Sequence, residues 1–338
     1  MADHAQQPAA EFPHPDDDAL SIGDGSSVED SLASLRSSIL DYRRENGRTY
    51  HILSDGKYLL PNDEREQDRL DLNHHLWGLT WDNELCISPK KDGARMVLDI
   101  GTGTGIWALD YADIHPEATV IGVDLSPIQP NFVAPNCTFE VDDVEKEWLW
   151  KDPFDFIFIR SMISCFASWP DIIAKAYENL EPGGIIEIND HMCPLMCQDD
   201  TMTEDFKPLK WSRLLVEASK KMGRPADVAV SFKKMLEEAG FVDVEEKKEM
   251  WPFNPWAKDK KHNELGYWTQ ASALNGIEAV SMAALTRIHN WAPEEAHVFC
   301  AEVRNEHKKV GVHAYWDIYG VWGRKPVETE EKEEASHP

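Results

Sequence analysis

Val97-Leu98-Asp99-Ile100-Gly101-Thr102-Gly103-Thr104-Gly105-Ile106-Trp107 joins the pattern of a buried strand to a glycine-rich turn and the start of a helix. Residues without a Cβ accept positive φ and let the backbone approach a ligand closely, leaving room for ribose or phosphate. The spacing Gly101, Gly103, Gly105 departs from the G-x-G-x-x-G of dinucleotide folds, and by itself it also suits a plain strand-to-helix connection. The next strand separates the two. Roughly twenty residues on, Thr119-Val120-Ile121-Gly122-Val123-Asp124 ends in an acid, where a doubly wound fold presents a carboxylate able to accept both ribose hydroxyls and to repel a phosphate. A third run, Cys137 to Val141, leads to Asp142-Asp143-Val144, where a carboxylate can accept from an adenine amino group or simply face solvent in a turn. Phe154 to Arg160 is apolar enough for burial on both faces, and Gly184 to Ile188 follows the turn Glu181-Pro182-Gly183-Gly184; both read as central parallel strands.

Taken together, these residues resemble the class I, seven-stranded S-adenosylmethionine-dependent methyltransferases. Asp99-x-Gly101-x-Gly103-x-Gly105 looks like their first cofactor motif, Asp124 like the ribose-binding acid, Asp143 like the adenine-contacting acid, and Glu181 to Gly184 like the turn before their fifth strand. Tyr42 to Tyr58, Pro61 to Trp77, Pro252 to Gly266 and His313 to Pro326 resemble a fungal subgroup of secondary metabolism that includes the velvet-associated regulators. Asp199-Asp200-Thr201 departs from the Asp-Asp-Gly of many relatives. The resemblance implies an α/β fold: a doubly wound, Rossmann-like, seven-stranded sheet, mostly parallel with an antiparallel last strand, plus N-terminal helices and a helical, aromatic insertion forming a lid. It also implies the cofactor S-adenosyl-L-methionine, with S-adenosyl-L-homocysteine as product. That cofactor would lie on Asp99, Gly101, Gly103, Gly105, Asp124, Asp143, the backbone of Val144, and Arg160 after the fourth strand. Because segments before the first strand close over the ligand in such enzymes, Tyr42 is a candidate for the cofactor and Tyr50 for the substrate, or each simply packs.

The chain has 338 residues, 42% of them apolar, and a formal net charge of -27, which suits one elaborated catalytic domain and argues against nucleic acid as a partner. Six cysteines form no C-x-x-C pair, so no zinc site is expected, and the chain carries no signal peptide or apolar run of membrane-spanning length. The expected compartment is the cytoplasm, with the nucleus open. Residues 1–30 and 327–338 read as disordered acidic ends, 31–90 as a helical cap, and 91–326 as the methyltransferase domain with lid insertions at about 195–235 and 250–290. Leu32, Leu35, Ile39 and Tyr42 recur at helical spacing, and after Pro61 a helix is expected in which Asp63 and Glu66 fit a capping box. His74 and His75 point about 100° apart on that helix and cannot both face one pocket.

Ligands of open α/β sheets bind outside the carboxyl ends of strands, so Glu187, Asn189, Asp190 and His191 are candidates for acceptor chemistry. Glu187 and Asp190 would touch substrate, and His191 would take a proton from a hydroxyl as general base, unless it is a structural hydrogen-bonding residue. Trp256, with Trp211, Trp251, Trp268 and Trp291, suits either an apolar acceptor pocket or a core. The leading expectation is methyl transfer to O or N of a small-molecule fungal metabolite. The alternative is a velvet-type regulator acting within a protein complex, on a protein substrate or without catalysis.

Overall fold

The computed structural model describes residues 42–54 and 56–327. The helix expected from Ser31 and the two acidic ends fall outside these residues, apart from Tyr42 and Val327. A short antiparallel hairpin, β1 (Arg43–Glu45) and β2 (Arg48–Tyr50), turns through Asn46 and Gly47, both at positive φ. Helix α1 (Glu64–Thr80) follows, with Asp63 as its N-cap accepting from the Glu66 amide. Only this half of the capping box forms, because the Glu66 carboxylate turns to Arg69 at 2.6 Å.

The central sheet contains β3 (Met96–Ile100), β4 (Thr119–Asp124), β5 (Cys137–Val141), β6 (Phe154–Arg160), β7 (Leu180–His191), β8 (Val242–Pro252) and β9 (Tyr315–Arg324), in the order β5-β4-β3-β6-β7-β9-β8. Strands β3 to β7 run parallel, and β9 inserts antiparallel between β7 and β8. The apolar run of β6 is buried on both faces, which is why it shows no alternation. Edge strand β8 instead alternates and keeps its charges outward, a pattern that discourages edge-to-edge pairing. It extends to Pro252, so the aromatic segment expected to begin an insertion at Met250 starts inside the sheet, with Trp251 opposite Trp316. The chain leaves β3 toward β4 and β5, then returns to β6 on the other side, placing the topological switch at the carboxyl ends of β3 and β6.

Helix α2 (Ile106–Ile114) begins at the glycine turn and is fixed by Trp107, whose ring stacks on Phe158 at 3.9 Å and whose Nε1 donates to the Leu85 carbonyl. Helix α3 (Trp169–Asn179), capped by Ser168, covers the other face. Of the helices expected in the lid, α4 (Lys207–Lys221) contributes Trp211 to a separate core, whereas α5 (Phe232–Glu238) packs on the sheet beside Phe166 and Trp169. The first lid segment is thus partly a sheet-flanking layer. Helix α6 (Lys260–Ala283) continues through a π turn at Ala284–Ile288, and α7 (Pro293–His307) leads into β9. Helix α1 crosses α6 where Gly276 lets the Arg69 side chain approach; a Cβ there would lie 2.6 Å from Arg69 Cδ. Beneath this crossing Leu76, Trp77, Trp211, Trp251, Ile277 and Trp316 form the second core. None of the described helices is long and apolar enough to cross a membrane.

His307 is fully buried, its ring stacked on Phe253 at 3.5 Å with neither nitrogen hydrogen-bonded. Burial drives its pKa down to about 3. The folded value lies below the unfolded one of about 6.5, so the folded state keeps the ring neutral and loses stability as pH falls from about 6.5 toward 3. His307→Phe is expected to keep the stack, remove a buried unsatisfied donor and flatten the loss of melting temperature between roughly pH 7 and 5. Thermal unfolding of both proteins across that range checks this; parallel pH profiles would refute it.

Candidate functional site

Two acids fasten the glycine turn from below. Asp99, near the carboxyl end of β3, accepts from Thr102 Oγ1 at 2.6 Å, and Asp124, at the end of β4, accepts from the Gly103 amide and the Ser126 amide, each at 2.9 Å. Gly101 and Thr102 donate their amides to the Val123 carbonyl. Gly101 and Gly105 hold φ of +74° and +82°, and their contacts forbid a side chain: a Cβ would lie 2.2 Å from Met162 Sδ at Gly101 and 2.4 Å from the Phe139 ring at Gly105. Burial raises both Asp99 and Asp124 to about 6, opposed by the Thr102 hydroxyl and Arg160 for Asp99 and by backbone amides for Asp124.

These groups line a cleft whose opposite wall holds Asp143, Val144, Met162 and Phe166. Asp143 is buried, receiving Lys57 Nζ at 2.5 Å and Ser54 Oγ at 2.7 Å. Burial would raise its pKa, but Lys57 and Ser54 hold it below the usual carboxylate range. Lys57 also reaches Glu145 at 3.1 Å. Lys57, Tyr58, Asn62, Glu66 and Leu70 therefore belong to the cleft, and sequence reasoning missed all five. They sit on or before a helix whose polar residues have no spacing that separates cleft from solvent.

Past Gly101 and Arg160 the cleft continues into a cavity between the sheet and α1, and then beneath α6. Trp77, Trp211, Trp251 and Trp316 wall it. Three of these indoles are locked: Trp77 Nε1 donates to Ser161 Oγ at 2.9 Å, Trp211 to Ser281 at 2.8 Å and Trp251 to Thr80 at 2.7 Å. Of the aromatics singled out from sequence, Trp211 and Trp251 reach this cavity, whereas Trp256, Trp268 and Trp291 do not. Trp316 was legible only once β9 was paired with β8.

Asp99, Gly101, Gly103, Asp124, Asp143, Val144 and Arg160 are thus brought together, with Gly105 just behind them. Other candidates are not. Tyr42 lies outside the lining of the cleft and cavity. Tyr50 is fully buried under the Arg287 guanidinium, 4.7 Å from its ring, so its expected substrate contact is corrected to packing. Glu187 points away from the cavity and accepts the Ile87 and Ser88 amides and Asn189 Nδ2. Asp190 accepts the Met162, Ile163 and His191 amides. Both carboxylates are saturated by loop backbone and act as fasteners rather than substrate contacts. Trp256 donates to the Ala314 carbonyl and packs near His313, outside the cavity. Of the histidine pair, His74 enters the cavity wall and His75 remains exposed against Trp268.

His191 does line the cavity, with Nδ1 3.3 Å from Asp190 Oδ1. Burial would lower its pKa, but Cys193 and the Asp190 carboxylate overcome this and raise it to about 10. That direction favours the imidazolium, which donates hydrogen bonds, and so weighs against the expected general base.

Asp124, the expected ribose-binding acid, borders the cleft, so Asp124→Ala is expected to weaken S-adenosylhomocysteine binding by roughly 1.5 to 3 kcal/mol per lost contact. In the wild type, affinity should rise as pH climbs through about 6, where Asp124 ionises in the folded protein. Calorimetric titration of both proteins at several pH values checks the two statements; an unchanged affinity in a folded variant would remove Asp124 from the site.

A methyltransferase domain model matches residues 72–246. Methyltransferase pytC of Aspergillus terreus is 38% identical over 300 residues, covering 88% of this chain and 93% of that protein. Secondary metabolism regulator LAE1 of Cochliobolus heterostrophus is 36% identical over 290 residues, covering 83% and 94%. Protein-methionine methyltransferase laeA of Emericella nidulans is 34% identical over 291 residues, covering 85% and 77%. The glycine turn, the two acids beneath it and these matches agree: the chain belongs to the methyltransferase domain family.

Proposed function

We propose that this methyltransferase transfers the methyl group to an oxygen or nitrogen of a small-molecule acceptor, a fungal secondary metabolite, seated in the tryptophan-walled cavity beyond Arg160. The observation that carries the reading is that cavity's continuity with the cleft through Gly101, Gly103, Arg160 and Ser161. Its walls suit a flat apolar molecule of limited size. Asp124 would hold the ribose hydroxyls, Asp143 the adenine amino group once Lys57 yields its hydrogen bond, and the glycine turn would let the ligand lie against backbone. The sulfonium of the donor supplies an electrophilic methyl group. The protein's own contribution is alignment and exclusion of water, and positioning of this kind provides about 7 to 11 kcal/mol. A general base would add roughly 10² to 10⁴-fold, and an acceptor that arrives deprotonated needs none.

The relative named a secondary metabolism regulator and the one named a protein-methionine methyltransferase support a second reading, in which the same cofactor site serves a regulatory complex or a protein substrate. Incubation with methyl-labelled S-adenosylmethionine and a fractionated fungal extract separates the two. Label in organic-soluble small molecules is the expected result, and label confined to protein would overturn the first reading. Val280 lines both parts of the cavity. Val280→Trp should therefore abolish transfer to the small molecule while leaving calorimetric S-adenosylhomocysteine affinity unchanged; full turnover in that variant would move the acceptor elsewhere.

A further inference from the structure

We infer that Arg160 is a carboxylate-binding residue at the junction of the cofactor cleft and the acceptor cavity, and that neutral His74 is its positioning residue. The inference rests on the cofactor placement proposed above. Arg160 closes β6 and lines both spaces. Among the described residues its guanidinium makes one hydrogen bond, Nη2 to His74 Nδ1 at 2.9 Å, and no ion pair with Asp or Glu. By contrast, Arg69, the other arginine in the cavity wall, is neutralised by Glu66 through contacts of 2.6 to 3.1 Å.

Arginine only donates, so His74 Nδ1 must accept, and its proton lies on Nε2, donated to Asp110 Oδ2 at 2.9 Å. Burial lowers the His74 pKa and Arg160 lowers it further, while Asp110 and Asp71 oppose this, in keeping with the neutral tautomer. The chain Asp110, His74, Arg160 thus fixes one edge of the guanidinium and leaves its remaining donors toward the ligand space. Burial also depresses the Arg160 pKa to about 10, against the charges of Asp99, Asp110 and Glu187. The surrounding acids therefore fall short of compensating this buried cation, and an anion would complete it. A carboxylate matches the planar fork in two parallel hydrogen bonds. It can come from the methionyl arm of the cofactor or from an acidic acceptor. In the second case the carboxylate oxygen forms a bond to the methyl carbon as the sulfur–methyl bond breaks. The products are a methyl ester and S-adenosylhomocysteine, and no proton moves.

The test uses calorimetry on the full chain with S-adenosylhomocysteine and with 5′-methylthioadenosine, which lacks the carboxylate, and with 1-naphthoate and 1-naphthamide titrated into the homocysteine-saturated protein. Arg160→Met is expected to weaken one carboxylate ligand about ten- to a hundredfold and to leave methylthioadenosine unchanged. Loss confined to S-adenosylhomocysteine assigns the carboxylate to the cofactor. Loss confined to naphthoate, erasing its preference over the amide, assigns it to the acceptor. His74→Leu should reproduce part of the loss, and His74→Asn, whose amide oxygen stands near the Nδ1 position, should restore it. Arg160→Gln serves if the methionine variant does not fold. Unchanged affinity for both carboxylates in a folded variant overturns the inference, whereas failure of the wild type to bind methylthioadenosine would instead overturn the cofactor placement.

Discussion

Buried carboxylates at the carboxyl ends of the parallel strands hold this structure's loops where a ligand needs them. Asp99, Asp124, Glu187 and Asp190 are all withdrawn from bulk water or nearly so, and each is hydrogen-bonded to the loop it serves. A buried charge without partners costs several kcal/mol, whereas a hydrogen bond to a charged group contributes roughly 1.5 to 3 kcal/mol, so such a carboxylate is tolerated only where loop donors converge on it. Carboxylate and loop are mutually determined. Asp190 draws the Met162 and Ile163 amides together and so sets the turn after β6; Glu187 does the same for Ile87 and Ser88 ahead of β3.

The same chemistry divides these acids into two kinds. Glu187 and Asp190 have their oxygens filled by amides and by Asn189, with no surface toward the cavity. Asp124 accepts backbone amides too, but it borders the cleft and is raised to about 6 by burial. An acid at a strand end has spare capacity for a ligand only when its own loop leaves it incompletely satisfied. Asp143 is intermediate, since its partner Lys57 is a long, partly exposed side chain that can be displaced without unfolding anything.

This distinction also explains what could be read from the sequence. The parallel strands are legible because β3, β4 and β6 carry continuous apolar runs, and the glycine turn because its spacing opens a helix after a strand; the seven-stranded arrangement itself comes from the family resemblance. Asp124 and Asp190 look alike in sequence, both acids closing apolar strands, and only the direction of the loop amides separates them. The expected substrate contact of Tyr50 rests on its place before the first strand and that of Trp256 on aromatic character, yet an aromatic residue satisfies a core and a pocket equally well. Trp77 and Trp316 went unnoticed because their convergence depends on α1 crossing α6 at Gly276 and on the β8 to β9 register, both long-range facts. The insertion expected from Met250 rests on the subgroup resemblance, and it hides the end of β8, which runs on to Pro252 as the strand passes from solvent into the second core.

The electrostatics of the cavity run against those of the whole chain. A formal charge of -27 would draw cations to the surface and repel acids at long range, but such fields are screened within about 8 Å at physiological salt. Inside, Arg160 lines the cavity beyond the glycine turn with no ion pair among the described residues, whereas His191 lies 3.3 Å from the Asp190 carboxylate and Arg69 is paired with Glu66 at 2.6 Å. Asp99 also lines it, with Thr102 on one of its oxygens. Local charge governs recognition because burial strengthens short-range interactions and removes the screening that weakens distant ones. An acidic exterior around a cavity that presents Arg160 to its ligand would slow the arrival of an anion yet hold it once inside, and the small-molecule acceptor proposed above depends on that balance.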